Sequence, residues 1–321
     1  MSLTETGAAA LLAGALATAQ AAAPQPFVYK GLCDASAAVA LGPQHFVVAD
    51  DEINILQIYQ RTQAQPVASH DLSSFLGVAA DKESDLEGAA AIGARIYWIS
   101  SHASNSEGKA QQRRYRFFAT EIQAGALPSL APAGQPYVSL LDDLKTAPQL
   151  APYQLAQAAQ MPAKSASGLN IEGLSATPDG KLLIGFRAPL RQGRALIVPL
   201  TNPAEVVQGR KAVLGAPLEL DLGGRGIRSI ELIGASYIIV AGPAGADGDF
   251  MLYRWSGQQG EAPRTLPDID LQGLHPEAVF AIPGTGQLQI LSDDGSVKTG
   301  GLRCKDRPKF AQSFRSLIVT P

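Results

Sequence analysis

The chain has 321 residues, of which 46% are hydrophobic and 17% are charged, and its formal net charge is −3. This length allows a large core, whereas the lack of a basic surplus argues against nucleic acid as a partner. The two cysteines and four histidines do not cluster, which argues against a zinc site. Glycine (32) and proline (22) are abundant, as expected for short strands joined by tight turns.

The first segment of the chain is rich in alanine and leucine and resembles a secretory signal. Its apolar part runs from Gly7 to Ala23 and ends in small residues. Glu5 stands where a signal carries a basic residue, so a surface helix of a cytoplasmic protein is the alternative. We predict that residues 1–26 form a signal-like or flexible segment and that the protein is periplasmic or secreted. No other run is long and apolar enough to span a bilayer.

The remaining chain, residues 27–321, repeats one short motif about every fifty residues. Each copy places a polar residue just before a small or apolar run, and a β-rich run follows about ten positions later. The copies contain Ser36, Glu87, Glu172, Arg228 and Glu277. Such a repeat indicates a closed array of four-stranded units. We therefore predict an all-β fold, a single β-propeller of five blades.

The spacing of the motif and the ends of the chain complete this prediction. The interval between the second and third copies is too long for one blade, so residues 142–167 are predicted to be a helical or loop insertion, with a degenerate sixth blade as the alternative. The second and fourth blades are predicted to end in the strands Tyr137–Leu141 and Ile269–Leu271. The last blade lacks one strand, which we assign to Phe27–Gly31, because this pairing closes the ring and removes a free edge.

The two cysteines fit a closed ring. Cys33 lies in the connection that enters the first inner strand, and Cys304 lies between the second and third strands of the last blade. A propeller places these connections on the same face of neighbouring blades, so a disulfide is predicted if the protein is exported. Two unpaired, buried thiols are the alternative for a cytoplasmic protein.

Several short sequence segments resemble those of a bacterial family, the domain of unknown function 3616 family. These segments are Cys33–Val39, Asp50–Glu52, Asp85–Gly88, Trp98–His102, Asn170–Leu174 and Gly185–Arg187. The family resembles propellers and carries no established activity, so the resemblance implies the fold and leaves the chemistry open. A looser resemblance to the esterase-like phytase propellers rests on Glu87-Gly88, Glu172-Gly173 and Glu277.

In a propeller, the start of each inner strand and the end of the next strand meet at the mouth of the central channel, here called the top face. Polar residues concentrate at these positions, which is typical of an active site. The candidate catalytic residues are Glu87, Glu172, His102 and His275; the candidate substrate-binding residues are Arg187, Arg228, Ser101, Asn105 and Glu277; the candidate metal ligands are Asp85, Glu87, Asn170 and Glu172. Asp34, Asp50, Asp51 and Asp293 are expected at the same mouth.

These residue types point to hydrolysis of a small substrate. A glutamate among like charges has a raised pKa and can act as a general base, and a histidine can donate the proton. Arginines grip carboxylates or phosphates in bidentate fashion, and clustered carboxylates can hold Ca²⁺. We predict a hydrolase of a phosphoester, ester or lactone that works as a monomer. The alternatives are a non-catalytic ligand- or protein-binding propeller, and ion pairs that only fix the register of the blades.

Overall fold

The structure is a computed structural model that describes residues 25–271 and 273–321. The apolar part of the signal-like segment lies outside the described residues. Within them, the chain forms five four-stranded antiparallel sheets and one two-stranded hairpin. The innermost strands of the five sheets contact one another in cyclic order, and the last contacts the first. The predicted five-bladed β-propeller is therefore confirmed.

The strands follow the chain from the outer strand of the last blade through blades 1 to 5. Blade 1 contains β2 (Ala35–Ala40), β3 (His45–Asp50), β4 (Ile55–Gln60) and β5 (Pro66–Asp71), and blade 2 contains β6 (Leu86–Ile92), β7 (Arg95–Ser100), β8 (Phe117–Gln123) and β9 (Ser129–Tyr137). Blade 3 contains β10 (Asn170–Ala176), β11 (Leu182–Ala188), β12 (Ala195–Leu200) and β13 (Leu218–Leu220), and blade 4 contains β14 (Gly226–Ile233), β15 (Ser236–Gly242), β16 (Met251–Trp255) and β17 (Arg264–Thr265). Blade 5 contains β18 (Pro276–Ala281), β19 (Leu288–Ser292), β22 (Ser313–Val319) and the first strand of the chain, β1 (Phe27–Lys30), and the separate hairpin of β20 (Lys298–Thr299) and β21 (Leu302–Arg303) lies between β19 and β22 in the chain.

Helical segments are short and lie between the strands. The α-helices are α1 (Ser73–Leu76), α2 (Leu140–Thr146), α3 (Leu155–Ala158) and α4 (Pro203–Val206), and the 3₁₀ turns are Gln112–Arg114, Pro148–Tyr153, Cys304–Asp306 and Lys309–Ala311. No helix among the described residues has the length and apolarity needed to cross a membrane.

Blade 5 is built from both ends of the chain. Its sheet has the order β18–β19–β22–β1, and β1 pairs antiparallel with β22 so that Tyr29 lies opposite Phe314. The Tyr29 ring stacks on Phe314, with centroids 5.3 Å apart, and meets Phe46 of blade 1 edge-on at 5.1 Å. One buried tyrosine therefore joins the last blade to the first.

A disulfide reinforces the same junction. Cys33 and Cys304 are bonded, with their Cα atoms 5.9 Å apart, as predicted for an exported protein. The Cys33 carbonyl also accepts a hydrogen bond of 2.9 Å from the Asp294 amide in blade 5. A covalent bond and a backbone contact thus connect the entry of blade 1 to the last blade.

Small residues allow the inner strands to converge on the channel. A Cβ atom added to Gly88 would lie 2.8 Å from Cγ2 of Ile99 and 3.0 Å from Cβ of Leu174 in the next blade. One added to Gly173 would lie 2.8 Å from Cγ2 of Ile227. The glycine that follows the glutamate of the motif is therefore required by the packing between blades.

Two predicted strands are corrected by the structure. Blade 2 ends with β9 (Ser129–Tyr137) and not with a strand over 137–141, because the apolar Leu140 and Leu141 are buried on the helix α2 and belong to the insertion. Blade 4 ends with the two-residue strand β17 and not with the predicted strand at 269–271. In both cases a short apolar run does not distinguish a strand from a helix or an extended loop.

Removing the disulfide is expected to destabilise the ring. The double variant Cys33→Ser/Cys304→Ser should lose about 2–5 kcal/mol of unfolding free energy, because the bond spans 271 residues and constrains the unfolded chain. Urea unfolding followed by tryptophan fluorescence measures this loss. A reductant should destabilise the unmodified protein to a similar degree and leave the variant unchanged; equal stability of all four samples would contradict the prediction.

Candidate functional site

The repeated motif forms the same backbone irregularity in all five blades. The ladder between each inner strand and its neighbour shifts register at the polar residue of the motif, which is the signature of a β-bulge, and the ladder of blade 3 also shifts between Asn170 and Ile171. The bulged residues are Ser36, Glu87, Glu172, Arg228 and Glu277. All five are buried. A bulge re-aims the side chain of its extra residue, so the fold places one polar side chain per blade at the same level of the ring.

Three of these residues, in blades 3, 4 and 5, form a continuous chain of ion pairs. Arg228 lies between two carboxylates: its Nε is 2.7 Å from Oε2 of Glu172, and its Nη2 contacts Oε1 of Glu277. The Glu172 carboxylate also accepts hydrogen bonds of 2.9 Å from Nη1 of Arg187 and from Nδ2 of Asn170. An ion pair between Glu172 and Arg187 is therefore present, and Oε2 of Glu172 lies in ionic contact with Arg228 without a hydrogen bond.

The two arginines of this chain are further held by the protein. Arg187 donates from Nε to the carbonyl of Pro243 at 3.1 Å and from Nη2 to the carbonyl of Gly245. The guanidinium of Arg228 lies 5.7 Å from the centre of the Phe250 ring. Since these donors already have partners, a substrate-gripping role for Arg187 requires that it exchange them.

Blades 1 and 2 present the opposite situation, an accumulation of carboxylates with few cations. Carboxylate oxygens of Asp51, Asp85 and Glu87 lie within 4.8 Å of one another. The Asp85 carboxylate accepts a hydrogen bond from Ser101 and lies 3.4 Å from Nη1 of Arg114. Glu87 is 8% exposed and, among the described residues, makes no hydrogen bond or ion pair.

A second group of carboxylates shares one member with the first. Oxygens of Asp34, Asp51 and Glu52 also lie within 4.8 Å of one another. Asp34 is 4% exposed, and its carboxylate has no hydrogen bond within the described part of the chain. Asp51 Oδ1 is likewise buried without a partner there. We call the two groups together, Asp34, Asp51, Glu52, Asp85 and Glu87, the acidic half of the mouth.

Burial and mutual repulsion raise the pKa values in this half. Burial, with Asp293 and Asp50 nearby, raises the pKa of Asp34 to about 9, and burial raises that of Asp50 to about 7. The pKa of Asp51 is raised by burial and by the charge of Glu87. That of Glu87 is raised by burial and by the charges of Glu172 and Asp85. These carboxyl groups therefore keep their protons at pH values above the ordinary range for a carboxyl group.

The two predicted histidines have local contacts of their own. His102 is fully buried, its Nδ1 is 2.7 Å from the carbonyl of Ser100, and its ring stacks on Tyr115. Burial lowers its pKa to about 4, so it is neutral near pH 7 and a poor proton donor. His275 is exposed, and its ring packs against Phe250.

Two further predicted residues have structural contacts. Ser101 donates to Asp85 and accepts a hydrogen bond from the Ala103 amide, so it orients a carboxylate. Asn105 Oδ1 accepts the amides of Glu107 and Lys109 at 2.9 Å and thereby caps its own loop. Sequence spacing placed both at the mouth but did not reveal these local partners.

The four predicted metal ligands divide between the two halves. Asp85 and Glu87 belong to the acidic half, whereas Asn170 and Glu172 are joined to arginine. Sequence reasoning did not assign Asp51 or Asp34 as ligands, although both were expected at the mouth. The signal for Asp51 was its position in the run Asp50-Asp51-Glu52 at the end of the second strand, where the strand leaves the sheet.

Solved structures that resemble this chain include three with low sequence identity. A putative oxidoreductase (glucose dehydrogenase) from Thermus thermophilus is 13% identical, with a TM-score of 0.45 over 92% of this chain and 100% of that chain. A luciferin-regenerating enzyme is 10% identical, with a TM-score of 0.44 over 92% and 96%. A protein of unknown function from Bacteroides caccae is 12% identical, with a TM-score of 0.36 over 85% and 90%. Likeness at this level concerns the fold and transfers no activity.

Comparison with curated proteins gives no significant match. A family model described as "Protein of unknown function (DUF3616)" matches residues 120–287, more than half of the chain. The matched part includes the bulges at Glu172, Arg228 and Glu277. The chain therefore belongs to the DUF3616 family of proteins of unknown function.

Proposed function

We propose that the protein is a hydrolase whose acidic half binds a divalent cation, with Ca²⁺ as the first candidate, through Asp51, Asp85 and Glu87. The observation that carries this proposal is Glu87, a buried carboxylate without a hydrogen-bond partner among the described residues, within 4.8 Å of two other carboxylates. Hard cations bind such oxygen ligands. A cation there would relieve the repulsion that raises the pKa values of the cluster.

The chemistry follows from the two halves of the mouth. A bound cation would polarise a carbonyl or phosphoryl oxygen of the substrate and make a bound water more acidic. A carboxylate of the acidic half would accept a proton from this water as the water oxygen forms a bond to the carbonyl carbon or to phosphorus. The bond to the leaving oxygen then breaks, and the leaving oxygen takes a proton from solvent. The ion-pair chain of Glu172, Arg228 and Glu277 fixes the opposite wall. The substrate class proposed is a small phosphoester, ester or lactone.

Export of the protein is part of the proposal. The Cys33–Cys304 bond supports it, since disulfides persist in oxidising compartments. The periplasm and the extracellular medium also supply Ca²⁺ at concentrations that a site of modest affinity can use.

Non-catalytic ligand binding is the second candidate, and a specific cavity favours it. This cavity of about 470 Å³ lies between the insertion and the loop after β11. Its lining includes Tyr153, Gln154, Met161, Pro189 and Arg191, a mixture of apolar and polar groups that suits a small organic molecule. Binding that survives the loss of the cation would favour this candidate.

Exchanging the two central glutamates for glutamine should have opposite effects on stability. Glu172→Gln should destabilise the protein by about 3–5 kcal/mol, because it leaves Arg187 and Arg228 buried without their shared charge. Glu87→Gln should keep or raise the stability of the cation-free protein, because it replaces a buried carboxyl group whose ionised form is disfavoured by burial and by the charges of Glu172 and Asp85. Thermal melts in EDTA measure both effects. A large loss of stability in Glu87→Gln would contradict the assignment of Glu87 as a carboxyl group without a structural partner.

The Glu87→Gln variant also tests the proposed hydrolase activity. The unmodified protein with Ca²⁺, Mg²⁺ or Mn²⁺ should hydrolyse at least one of p-nitrophenyl phosphate, p-nitrophenyl acetate and a small lactone faster than buffer. Glu87→Gln should lower the rate at least 100-fold, about 2.7 kcal/mol in the barrier, whereas Asp142→Asn, an exposed carboxylate on α2, should not. No turnover of any substrate with any of the three cations would contradict the hydrolase proposal.

The stability of the cation-free protein should fall as the pH rises. Asp34 and Asp50 have raised pKa values of about 9 and about 7 in the folded state, against an ordinary value of 3.8. Between these limits the folded state binds more protons than the unfolded state, so the free energy of unfolding decreases with pH. Urea unfolding in EDTA at pH 5, 7 and 8.5 should show this decrease, and added cation should reduce it. A rise in stability over this range would contradict the raised values.

A further inference from the structure

We propose that the acidic half of the mouth is a two-cation site in which Asp51 bridges the ions. One ion is held with Asp85 and Glu87, and the other with Asp34 and Glu52. The inference rests on the proposed cation site at Glu87 and deepens it, because a pair of cations suits a phosphoester among the possible substrates. A single ion would leave the hydrolase proposal intact.

The geometry of the carboxylates suits two ions that share one ligand. Two separate sets of three carboxylates have their oxygens within 4.8 Å, and Asp51 is the one residue common to both. A carboxylate has two oxygens, so it can bind one ion with each. In two-metal enzymes the ions lie about 3.5–4 Å apart, a separation that a single bridging carboxylate spans.

Both sets contain a buried carboxylate with no other role. Asp34 in one set is 4% exposed and Glu87 in the other is 8% exposed. Neither carboxylate makes a hydrogen bond or an ion pair within the described part of the chain. Buried charges are ordinarily paired or bound to a metal, since an unpaired one is strongly unfavourable. Each set therefore has its own carboxylate that is available to a cation.

The balance of charge also favours two ions over one. Among the described residues, protein cations contact only two members of the acidic half: Arg114 lies 3.4 Å from Asp85, and Lys305 contacts Oε1 of Glu52. The other three members have no cation in contact, and Asp50 and Asp293 add further negative charge beside them. One divalent ion would not offset this excess, whereas two would nearly do so.

The fold explains why the second set is rigid. Asp34 follows the disulfide-bonded Cys33 and pairs across to Asp293 of blade 5 in an isolated antiparallel bridge. Its carboxylate lies against Gly295, where any Cβ atom would collide with it. Glycine at this position leaves the room that the Asp34 carboxylate needs, and the disulfide anchors the backbone that carries it.

Two cations suit the hydrolysis of a phosphate ester. One ion holds the attacking water and the other holds the ester oxygen, while both contact a non-bridging phosphoryl oxygen. The water oxygen forms a new bond to phosphorus as the bond from phosphorus to the ester oxygen breaks. The water proton passes to a carboxylate of the cluster, and the leaving alcohol takes its proton from solvent. Carbon esters and lactones do not require the second ion.

Metal content and electron paramagnetic resonance with Mn²⁺ test the inference on the full chain. The cation-free protein should bind two Mn²⁺ per chain, and their spectrum should show magnetic coupling between the ions. Asp34→Asn and Glu87→Gln should each retain one uncoupled Mn²⁺, and Asp51→Asn should weaken both sites at least 10-fold. Asp142→Asn should behave like the unmodified protein. Should Asp34→Asn fail to fold, Gly295→Ala displaces the same carboxylate and should also leave one ion.

The outcomes separate this inference from the proposed function. One Mn²⁺ per chain that is unaffected by Asp34→Asn overturns the second site and leaves the hydrolase proposal standing. Two ions without coupling, or insensitive to Asp51→Asn, overturn the bridge. No bound ion overturns both proposals. With two coupled ions, a p-nitrophenyl phosphate rate that falls at least 10-fold in Asp34→Asn supports the phosphoester assignment, and a rate that is unchanged overturns it.

Discussion

The convergence of five inner strands on one narrow channel is the constraint that shapes every other part of the molecule. Strands that approach so closely leave no space for side chains at some positions, and Gly88 and Gly173 meet this demand directly. Each inner strand also carries a bulge, which inserts one residue and turns its side chain. The repeated motif therefore combines close packing between blades with a ring of polar side chains.

The ring carries different charges around its circumference, and this difference divides its residues by role. From blade 3 to blade 5 the bulged side chains alternate in sign, so Glu172, Arg228 and Glu277 neutralise one another and fix neighbouring blades. Blade 1 contributes Ser36 and blade 2 contributes Glu87, and neither supplies a cation. The residues at the strand ends of blades 1 and 5 then add further carboxylates. The ion pairs thus lie in one half of the mouth, and carboxylates without a cationic partner lie in the other.

The junction between the chain ends lies beside the acidic half, where repulsion between carboxylates acts on the ring. Like-charged carboxylates repel one another and would open the ring where blade 1 meets blade 5. The Cys33–Cys304 bond, the aromatic contacts of Tyr29 and the pairing of β1 with β22 all hold that junction. The disulfide bond opposes this repulsion, and it anchors the backbone of Asp34, which follows Cys33 in the chain.

The periodic motif and the geometry of a closed ring were enough to predict the blade number and the inner strands, and to identify Cys33 and Cys304 as a possible pair. They were not enough to locate the end of β9, where Leu140 and Leu141 fit a strand as well as a helix. Which polar residues pair and which stay alone became visible only in the folded ring. Glu87 and Glu172 have nearly the same local sequence, yet Glu172 is bound by two arginines and Glu87 lies among carboxylates. The physical reason is that electrostatic partners come from neighbouring blades, and no local pattern specifies which side chains meet across the channel.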